Sequence, residues 1–382
     1  MGTRPLVGRI AVLFAVALIG CPGPPDVEAP DEPGSWSVGH VTASLEDVGE
    51  PDRDVPLDVW YPVAPGDESG HWPTEYPLQA LIDLPSDVAV EEAPSADIGA
   101  PLLVFSHGYQ SINIQSTRLC ETLASHGFVV VAPGHTGNTQ DADEDDFPTA
   151  ASRRVPDVAA VIDWVRAGAD AGADGDLLAN AVDDTRIGVL GHSFGGMTSL
   201  GAGAGWAGAA PLDVDALMPI SAVVDAELQE DERPYEEAGF TPEQLATVRQ
   251  PVLLLGGTED TNVPVENNGL AFDWLTSSDH VVRVDIEGAN HTHFANVCDI
   301  GDLLIELGFE TDVWETLGAG ELLAPYRSTC GPEAFPIGEA VRLQNLHAVA
   351  FFRLHLMEEA GYGWFLTRRA ARDEDAITLQ AR

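Results

Sequence analysis

The sequence predicts an α/β domain built on a mostly parallel sheet with helices on both faces. Short, continuous apolar runs recur along the chain, helical patterns lie between them, and glycines follow several of the runs. Continuous apolar runs are typical of strands buried on both faces, as parallel strands are. The length of 382 residues suits one large domain of this class better than two small ones.

The predicted elements alternate along most of the chain. Strands are predicted at residues 55–63, 101–108, 128–134, 186–191, 215–224, 251–257 and 281–289. Helices are predicted at residues 116–127, 155–168, 197–205 and 337–359.

Three segments fall outside this alternation. Residues 64–100 are rich in Pro, Glu and Asp and predict an irregular excursion. Residues 226–248 are acidic and helix-prone, and most of residues 299–335 lie between two cysteines. Both later segments follow the carboxyl ends of strands, and this is the end of the sheet where α/β folds bind ligands. We therefore expect both to overhang a site, with 226–248 as a possible small lid.

The N-terminus predicts export. Arg4 and Arg9 precede the apolar run 10–20, which is too short to span a bilayer comfortably. Residues 18–21, Leu-Ile-Gly-Cys, resemble the lipobox of bacterial lipoproteins, which implies that Cys21 is diacylated and becomes the new N-terminus. We expect a lipid anchor in the bacterial cell envelope. The alternative is an ordinary secretory signal cut nearby, which gives a periplasmic or secreted protein.

These features divide the chain into four parts. They are a signal peptide at 1–20, an acidic, Pro-rich tether at 21–37, one domain at 38–367 and a C-terminal tail at 368–382.

The charge distribution excludes several function classes. The chain has 62 acidic residues, 18 arginines and no lysine, which gives a formal net charge of −44. The absence of lysine excludes lysine Schiff bases, phosphate-binding lysines and Ser-Lys dyads. Without a basic patch, neither nucleic acid nor an anionic membrane surface is an expected partner. No obligate protein partner is evident.

The cysteines after position 21 predict one disulfide. Cys298 and Cys330 flank a loop-rich insertion, and export permits their oxidation. Cys120 falls on a predicted helix, where we expect a small buried hydrophobe. The spacing of these cysteines does not suit a zinc site.

Ser193 is the candidate nucleophile. Residues 186–200 predict a strand, a tight turn and a helix, and Ser193 stands in the turn between Gly191 and Gly195. Glycines are needed there because the strand and helix backbones approach closely. The serine then projects at the helix N-terminus, whose dipole favours developing negative charge. His192 is expected to be a packing residue.

A serine nucleophile needs N–H donors for the oxyanion of its intermediate. The backbone N–H of Phe194, directly after the nucleophile, is one candidate. The turn after the strand at 101–108 supplies the other, with Tyr109 preferred and Gly108 as the alternative.

The candidate acid and base follow later strands. Asp260 comes after the strand at 251–257 and is preferred over its neighbour Glu259, while Asp225 after the preceding strand is a more distant contender. The base is expected to be His291 or, less favoured, His293.

The unused histidine of this pair is expected to line the pocket or the surface. A metal role for the His-x-His pair lacks a third ligand with suitable spacing. The acidic run at 141–146 does not match a calcium loop, because Asp146 and Ser152 replace the required glycine and glutamate.

Several segments together resemble the α/β-hydrolase group that holds bacterial platelet-activating-factor-acetylhydrolase-like esterases and "predicted dienelactone hydrolases", with cutinases and polyesterases as relatives. The likeness covers roughly residues 55–295 and the final helix, and it is carried by PLDVWYP, PLLVFSHGYQS, LASHGFVVVAPGH, RVPDVAAVIDWV, RIGVLGHSFGGMTSL, PVLLLGGTEDTNVP and GANHTHF.

The resemblance implies an α/β-hydrolase fold, two-step acyl transfer without a cofactor or metal, and a triad in the order Ser193, Asp260, His291. His107 precedes the serine and does not fit that order. True dienelactone hydrolases use a cysteine nucleophile, so that name does not indicate the substrate of this chain.

The function expected from the sequence is a serine carboxylic-ester hydrolase acting on small-molecule or lipid esters. The resemblance favours short-chain or oxidised phospholipid acyl esters. A cutinase-like polyester hydrolase is the alternative within enzymes, and it needs an open cleft. A catalytically inactive, hydrolase-fold envelope lipoprotein that binds a ligand is the alternative of another class.

Overall fold

The computed structural model describes residues 25–78, 82–140, 145–172, 175–228 and 239–382. The predicted signal peptide and Cys21 lie outside the described residues, as does the middle of the predicted lid at 229–238. Among the described residues, no helix is both long and apolar enough to cross a membrane.

The strands of the described ranges form one eleven-stranded sheet. They are β1 (Ser37–Leu45), β2 (Val55–Val63), β3 (Pro73–Pro77), β4 (Asp83–Glu91), β5 (Ala100–Ser106), β6 (Val129–Pro133), β7 (Val182–His192), β8 (Ala216–Ile220), β9 (Val252–Gly257), β10 (Val281–Ile286) and β11 (Ile377–Ala381). Their order across the sheet is β11-β10-β9-β8-β7-β5-β6-β2-β1-β4-β3. From β6 to β10 all neighbours are parallel, whereas β2 and β11 pair antiparallel on either side. The predicted, mostly parallel sheet is confirmed.

Helices cover both faces of this sheet. They are α1 (Thr117–Ser125), α2 (Phe147–Arg166), α3 (Phe194–Ala204), α4 (Pro242–Leu245), α5 (Glu266–Trp274), α6 (Val297–Glu306), α7 (Gly320–Thr329) and α8 (Ile337–Leu356). One core layer joins the sheet to α2, α3 and α5, and the other joins it to α1 and α8. Every residue of β5 and β9 is buried, which explains their continuous apolar sequences.

The prediction of an irregular excursion at residues 64–100 is wrong. β3 and β4 pair antiparallel within it, and β4 also pairs with β1. β3 begins and ends with a proline and alternates exposed with buried residues. Prolines and half-exposed residues are tolerated at a sheet edge, so this composition marks an edge strand as readily as a loop.

The domain extends beyond its predicted boundaries at both ends. Residues 377–381 of the predicted tail are β11, paired antiparallel with β10. The described part of the predicted tether lies against the domain, since the Trp36 N–H donates to the Ser125 carbonyl at 3.1 Å. A Cβ on Gly34 would lie 2.1 Å from that same carbonyl oxygen. The tether is therefore shorter than predicted.

The start of α2 also differs from the prediction at residue 155. The helix begins at Phe147, because the Asp146 side chain accepts a hydrogen bond from the Thr149 N–H at 3.0 Å and Pro148 fits the first turn.

The segment 299–335 contains two helices, which account for about half of it, and turns lie between them. The predicted disulfide between Cys298 and Cys330 is confirmed and joins the start of α6 to the end of α7. Cys120 is a buried free thiol on α1, as predicted. We call residues 297–335 the stapled insertion.

Candidate active site

Ser193 stands on a strained turn between β7 and α3. Its φ is 57°, a left-handed conformation that costs a non-glycine residue about 1–3 kcal/mol. A Cβ on Gly195 would lie 1.8 Å from the Ser106 carbonyl oxygen, and one on Gly191 would lie 2.4 Å from the Gly195 carbonyl oxygen. The side chain of Ser193 is partly exposed and lines a cleft of about 320 Å³. This is the geometry of a nucleophile elbow.

His291 lines the same cleft and contacts Asp260. Its Nδ1 lies 2.7 Å from Oδ2 of Asp260. The other carboxylate oxygen accepts hydrogen bonds from the backbone N–H groups of Asn262 and Val263, at 2.9 and 2.7 Å. Burial acts to raise the pKa of Asp260, but the charge and hydrogen bonds of His291 and the Val263 N–H hold it below its ordinary value. Asp260 is thus a buried carboxylate that stays ionised beside the imidazole.

The other candidate acids lie elsewhere. Glu259 is exposed. Asp225 accepts a hydrogen bond from the Glu227 N–H in its own turn, at 2.9 Å. Of the acids considered, the structure brings Asp260 to His291.

His293 is buried rather than at the surface. Its side chain lies against the backbone: Nδ1 accepts from the Asn290 N–H at 2.9 Å, and Nε2 lies 2.9 Å from the Phe335 carbonyl. Burial lowers the pKa of His293. The first contact lies within the histidine loop and the second joins that loop to Phe335 at the end of the stapled insertion, which indicates a structural role.

The side chain of His192 contacts the ring of His291 and forms a hydrogen bond with Gln115. The two imidazole ring centroids are 4.5 Å apart, and Nε2 of His192 lies 3.0 Å from the His291 carbonyl. Its Nδ1 lies 2.8 Å from Nε2 of Gln115. Oε1 of Gln115 accepts from the Gly108 N–H, also at 2.8 Å. His192 therefore helps to position the loop that carries His291, and it does more than pack between β7 and α3.

Two backbone groups dictate the tautomer of His192. The Gly108 N–H can only donate, so Gln115 presents Oε1 to it and its NH₂ group to His192. Nδ1 of His192 must then be unprotonated, and its Nε2–H donates to the His291 carbonyl. Burial and the nearby His291 lower the pKa of His192 to about 3, which keeps it neutral. One buried amide thus joins the turn before Tyr109 to the loop that carries His291.

We expect Gln115→Ala to lower kcat by roughly 10- to 100-fold, because small displacements of reacting groups cost rates of that order. The matched control is Asn345→Ala, which removes another buried amide that lies outside the cleft and bonds Thr122. Turnover and thermal unfolding are measured for both variants. If Gln115→Ala lowers the unfolding midpoint but leaves kcat unchanged, Gln115 is only structural.

Arg154 fixes the turn that carries the candidate oxyanion donor. It is fully buried on α2, and its guanidinium donates to the carbonyls of His107 and Gly108 at 2.5 and 3.0 Å. The same guanidinium lies 4.7 Å from the centre of the Phe194 ring. Tyr109 lines the cleft, whereas the Gly108 N–H is already engaged by Gln115. One cation therefore contacts both segments that would supply oxyanion donors.

Two known proteins or families are similar to this chain. A family model described as chlorophyllase matches residues 79–263, which include Ser193 and Asp260. A solved structure, the ferulic acid esterase from Streptomyces cinnamoneus, is similar with a TM-score of 0.58 and 23% identity, covering 85% of this chain and 91% of that chain. The chain has an α/β-hydrolase fold, and the two matches support a carboxylic ester hydrolase.

The chain contains a second Ser–His–Asp arrangement that sequence reasoning missed. Ser106 Oγ lies 2.9 Å from His135 Nε2, and His135 Nδ1 lies 2.8 Å from Asp157. All three are at most 1% exposed, so substrate does not reach them. Burial and the charge of Arg154 lower the pKa of His135 to about 4. These residues lie next to the elbow, because the Ser106 carbonyl oxygen is in close contact with Gly195.

Sequence reasoning also missed two buried residues beside the candidate site. Gln115 and Arg154 carry no sequence signal, because neither belongs to a motif and their partners are distant in the chain. His107 is fully buried, as expected for a residue that is not the base.

Proposed function

We propose that Ser193, His291 and Asp260 are the nucleophile, base and acid of this esterase. The observation that carries the proposal is the 2.7 Å contact between His291 and Asp260 in the cleft that exposes Ser193. An imidazole whose Nδ1–H is held by a carboxylate presents Nε2 for proton transfer, as the mechanism of serine hydrolases needs.

The reaction proceeds through an acyl-enzyme. Nε2 of His291 takes the Ser193 proton as Oγ attacks the ester carbonyl, and the oxyanion accepts hydrogen bonds from the backbone N–H groups of Tyr109 and Phe194. His291 then gives the proton to the leaving alcohol as the C–O bond breaks. In the second half, water attacks the acyl group while His291 takes a proton from that water. The acyl–Oγ bond then breaks, His291 returns the proton to Oγ of Ser193, and the acid product leaves.

The proposed substrates are lipid esters with a short or oxidised acyl group, such as phospholipids. Leu322 and Pro325 of α7 line the cleft, so the stapled insertion covers part of it. A partly covered cleft favours single ester molecules over a polymer chain, which needs an open one. For this reason we propose polyesters only as the second candidate substrate class.

Covalent labelling separates this function from the proposal of an inactive binding lipoprotein. A fluorophosphonate reacts with an activated serine, so we expect one probe per chain, located on the peptide that contains Ser193, together with hydrolysis of nitrophenyl acetate. A folded protein that neither takes up the probe nor hydrolyses the acetate contradicts the catalytic assignment.

We further propose that the mature esterase is anchored through a lipid on Cys21. The support is the Leu-Ile-Gly-Cys sequence at 18–21, together with the position of the first described residues, since Pro25 and Val27 lie beside Gly361. A chain extends at most about 3.6 Å per residue, so the lipid would hold the domain within roughly 15 Å of the bilayer. The mass of the mature N-terminal peptide tests the anchor, which Cys21→Ser should remove.

A further inference from the structure

A second cavity adjoins the catalytic cleft. Its volume is about 470 Å³. The stapled insertion forms one wall with Leu304, Phe309 and Leu317, and the facing wall includes Leu78 and Ile82, at the ends of β3 and β4. We call this cavity the apolar chamber.

The chamber and the cleft share a boundary. Ile112, Ile300 and Leu322 line both spaces, and so do the polar side chains of Gln140 and Glu321. Ile112 belongs to the turn that also carries Tyr109, so the boundary lies next to the proposed oxyanion donor. A group bound at Ser193 therefore has a direct path into the chamber.

The chemistry of the chamber selects its occupant. Among the described residues that line it, Gln140 and Glu321 are polar and both stand at the boundary, whereas those beyond are apolar. Within the described ranges, no arginine lines the chamber or the cleft, and the chain has no lysine. An anionic group would thus lose its hydration without gaining a charged partner. An uncharged aliphatic chain meets no such cost.

A disulfide restrains the insertion that forms one wall of the chamber. The disulfide between Cys298 and Cys330 joins the ends of the insertion that forms its wall. A cross-link of this kind limits the alternative conformations of the enclosed segment. A preformed wall lowers the entropic cost of binding, because less chain is ordered when ligand enters.

We propose that the apolar chamber binds one uncharged aliphatic chain that belongs to the ester cleaved at Ser193. This inference rests on the proposed function and adds the substrate class to it. The volume falls within the range of about 300–1,000 Å³ that encloses small ligands. Burial of each added methylene should then raise kcat/KM by roughly two- to four-fold until the chamber is filled.

The test uses two ester series below their aggregation concentrations. Nitrophenyl esters vary the acyl chain from acetate to dodecanoate, and alkyl acetates vary the alcohol over the same lengths. We expect a rise of kcat/KM with chain length in one of the series. An isosteric ester with a terminal carboxylate should be hydrolysed at least tenfold more slowly than its neutral analogue.

Variants identify the chamber as the cause of this dependence. Leu317 is 44% exposed, so Leu317→Asp should fold while placing a charge on the chamber wall. Ala319→Trp fills the chamber instead. Leu307→Asp is the matched control, because Leu307 is 53% exposed on the same insertion and does not line the chamber. We expect the first two variants to flatten the chain-length dependence and the control to keep it.

Acetate hydrolysis separates the two proposals. If the wild-type protein hydrolyses acetate esters but shows no length dependence in either series, the chamber proposal is wrong and the esterase mechanism stands. Retention of the full dependence in both Leu317→Asp and Ala319→Trp overturns it equally. A protein that hydrolyses no ester, acetate included, contradicts the proposed function itself.

Discussion

We expect Ser193→Ala to lower kcat by on the order of 10⁴-fold or more while the protein stays folded. Removal of a triad nucleophile leaves only substrate binding and the oxyanion donors to accelerate the reaction. The substitution deletes one oxygen from a partly exposed side chain and adds no bulk to the turn. Hydrolysis of nitrophenyl acetate and thermal unfolding measure the two effects.

The second Ser–His–Asp arrangement supplies the control for this experiment. Ser106→Ala removes the hydroxyl that contacts His135 in the interior, so we expect a loss of stability with kcat within about tenfold of the wild type. Near-normal turnover in folded Ser193→Ala would rule out the nucleophile assignment. A large loss of kcat in folded Ser106→Ala with little in Ser193→Ala would move the chemistry to the buried group.

The second large effect is expected from His291→Ala, which should lose kcat by on the order of 10⁴-fold. The base must reach the nucleophile with one ring nitrogen while the acid holds the other, and His291 contacts Asp260 from within the cleft. The measurement is kcat and kcat/KM at a pH where activity no longer changes with pH, together with the rate of fluorophosphonate labelling. The labelling rate should fall in parallel with turnover because the serine is no longer activated.

His293→Ala is the matched variant, two residues away. It leaves the Asn290 N–H and the Phe335 carbonyl without their imidazole partner, so we expect about 1–3 kcal/mol less stability. Most of kcat should remain. The reverse pattern would make His293 the base, and equal, modest losses in both variants would mean that neither acts on Ser193.

The elbow and the parallel centre of the sheet could be predicted because their causes are local. Gly191, Ser193 and Gly195 stand within one turn, so the strand–turn–helix pattern can be recognised from adjacent residues, although the carbonyl oxygen that a Cβ on Gly195 would meet belongs to Ser106 of β5. Strands such as β5 and β9 are buried on both faces, so their apolar runs report their position directly. The disulfide was predicted from the expected export of the chain and from two cysteines that flank one segment.

Strands at or next to the edges of the sheet were predicted less well for a physical reason. β3, β4 and β11 present polar or proline-containing sequences because one face or one edge meets solvent. Nothing in such a sequence distinguishes a strand from a loop until a partner strand is in place. For β11 that partner is β10, about ninety residues earlier in the chain.

The amino-acid pattern predicted an ester hydrolase and a short list of candidate site residues, and the folded chain separates these candidates by their contacts. Glu259 and Asp260 are adjacent, as His291 and His293 nearly are, so composition and spacing cannot choose between members of either pair. The choice depends on where each side chain points once β9 and β10 lie side by side, which brings Asp260 to His291. Gln115 and Arg154 had no signal at all, because a positioning role is defined by buried partners that only the folded chain supplies.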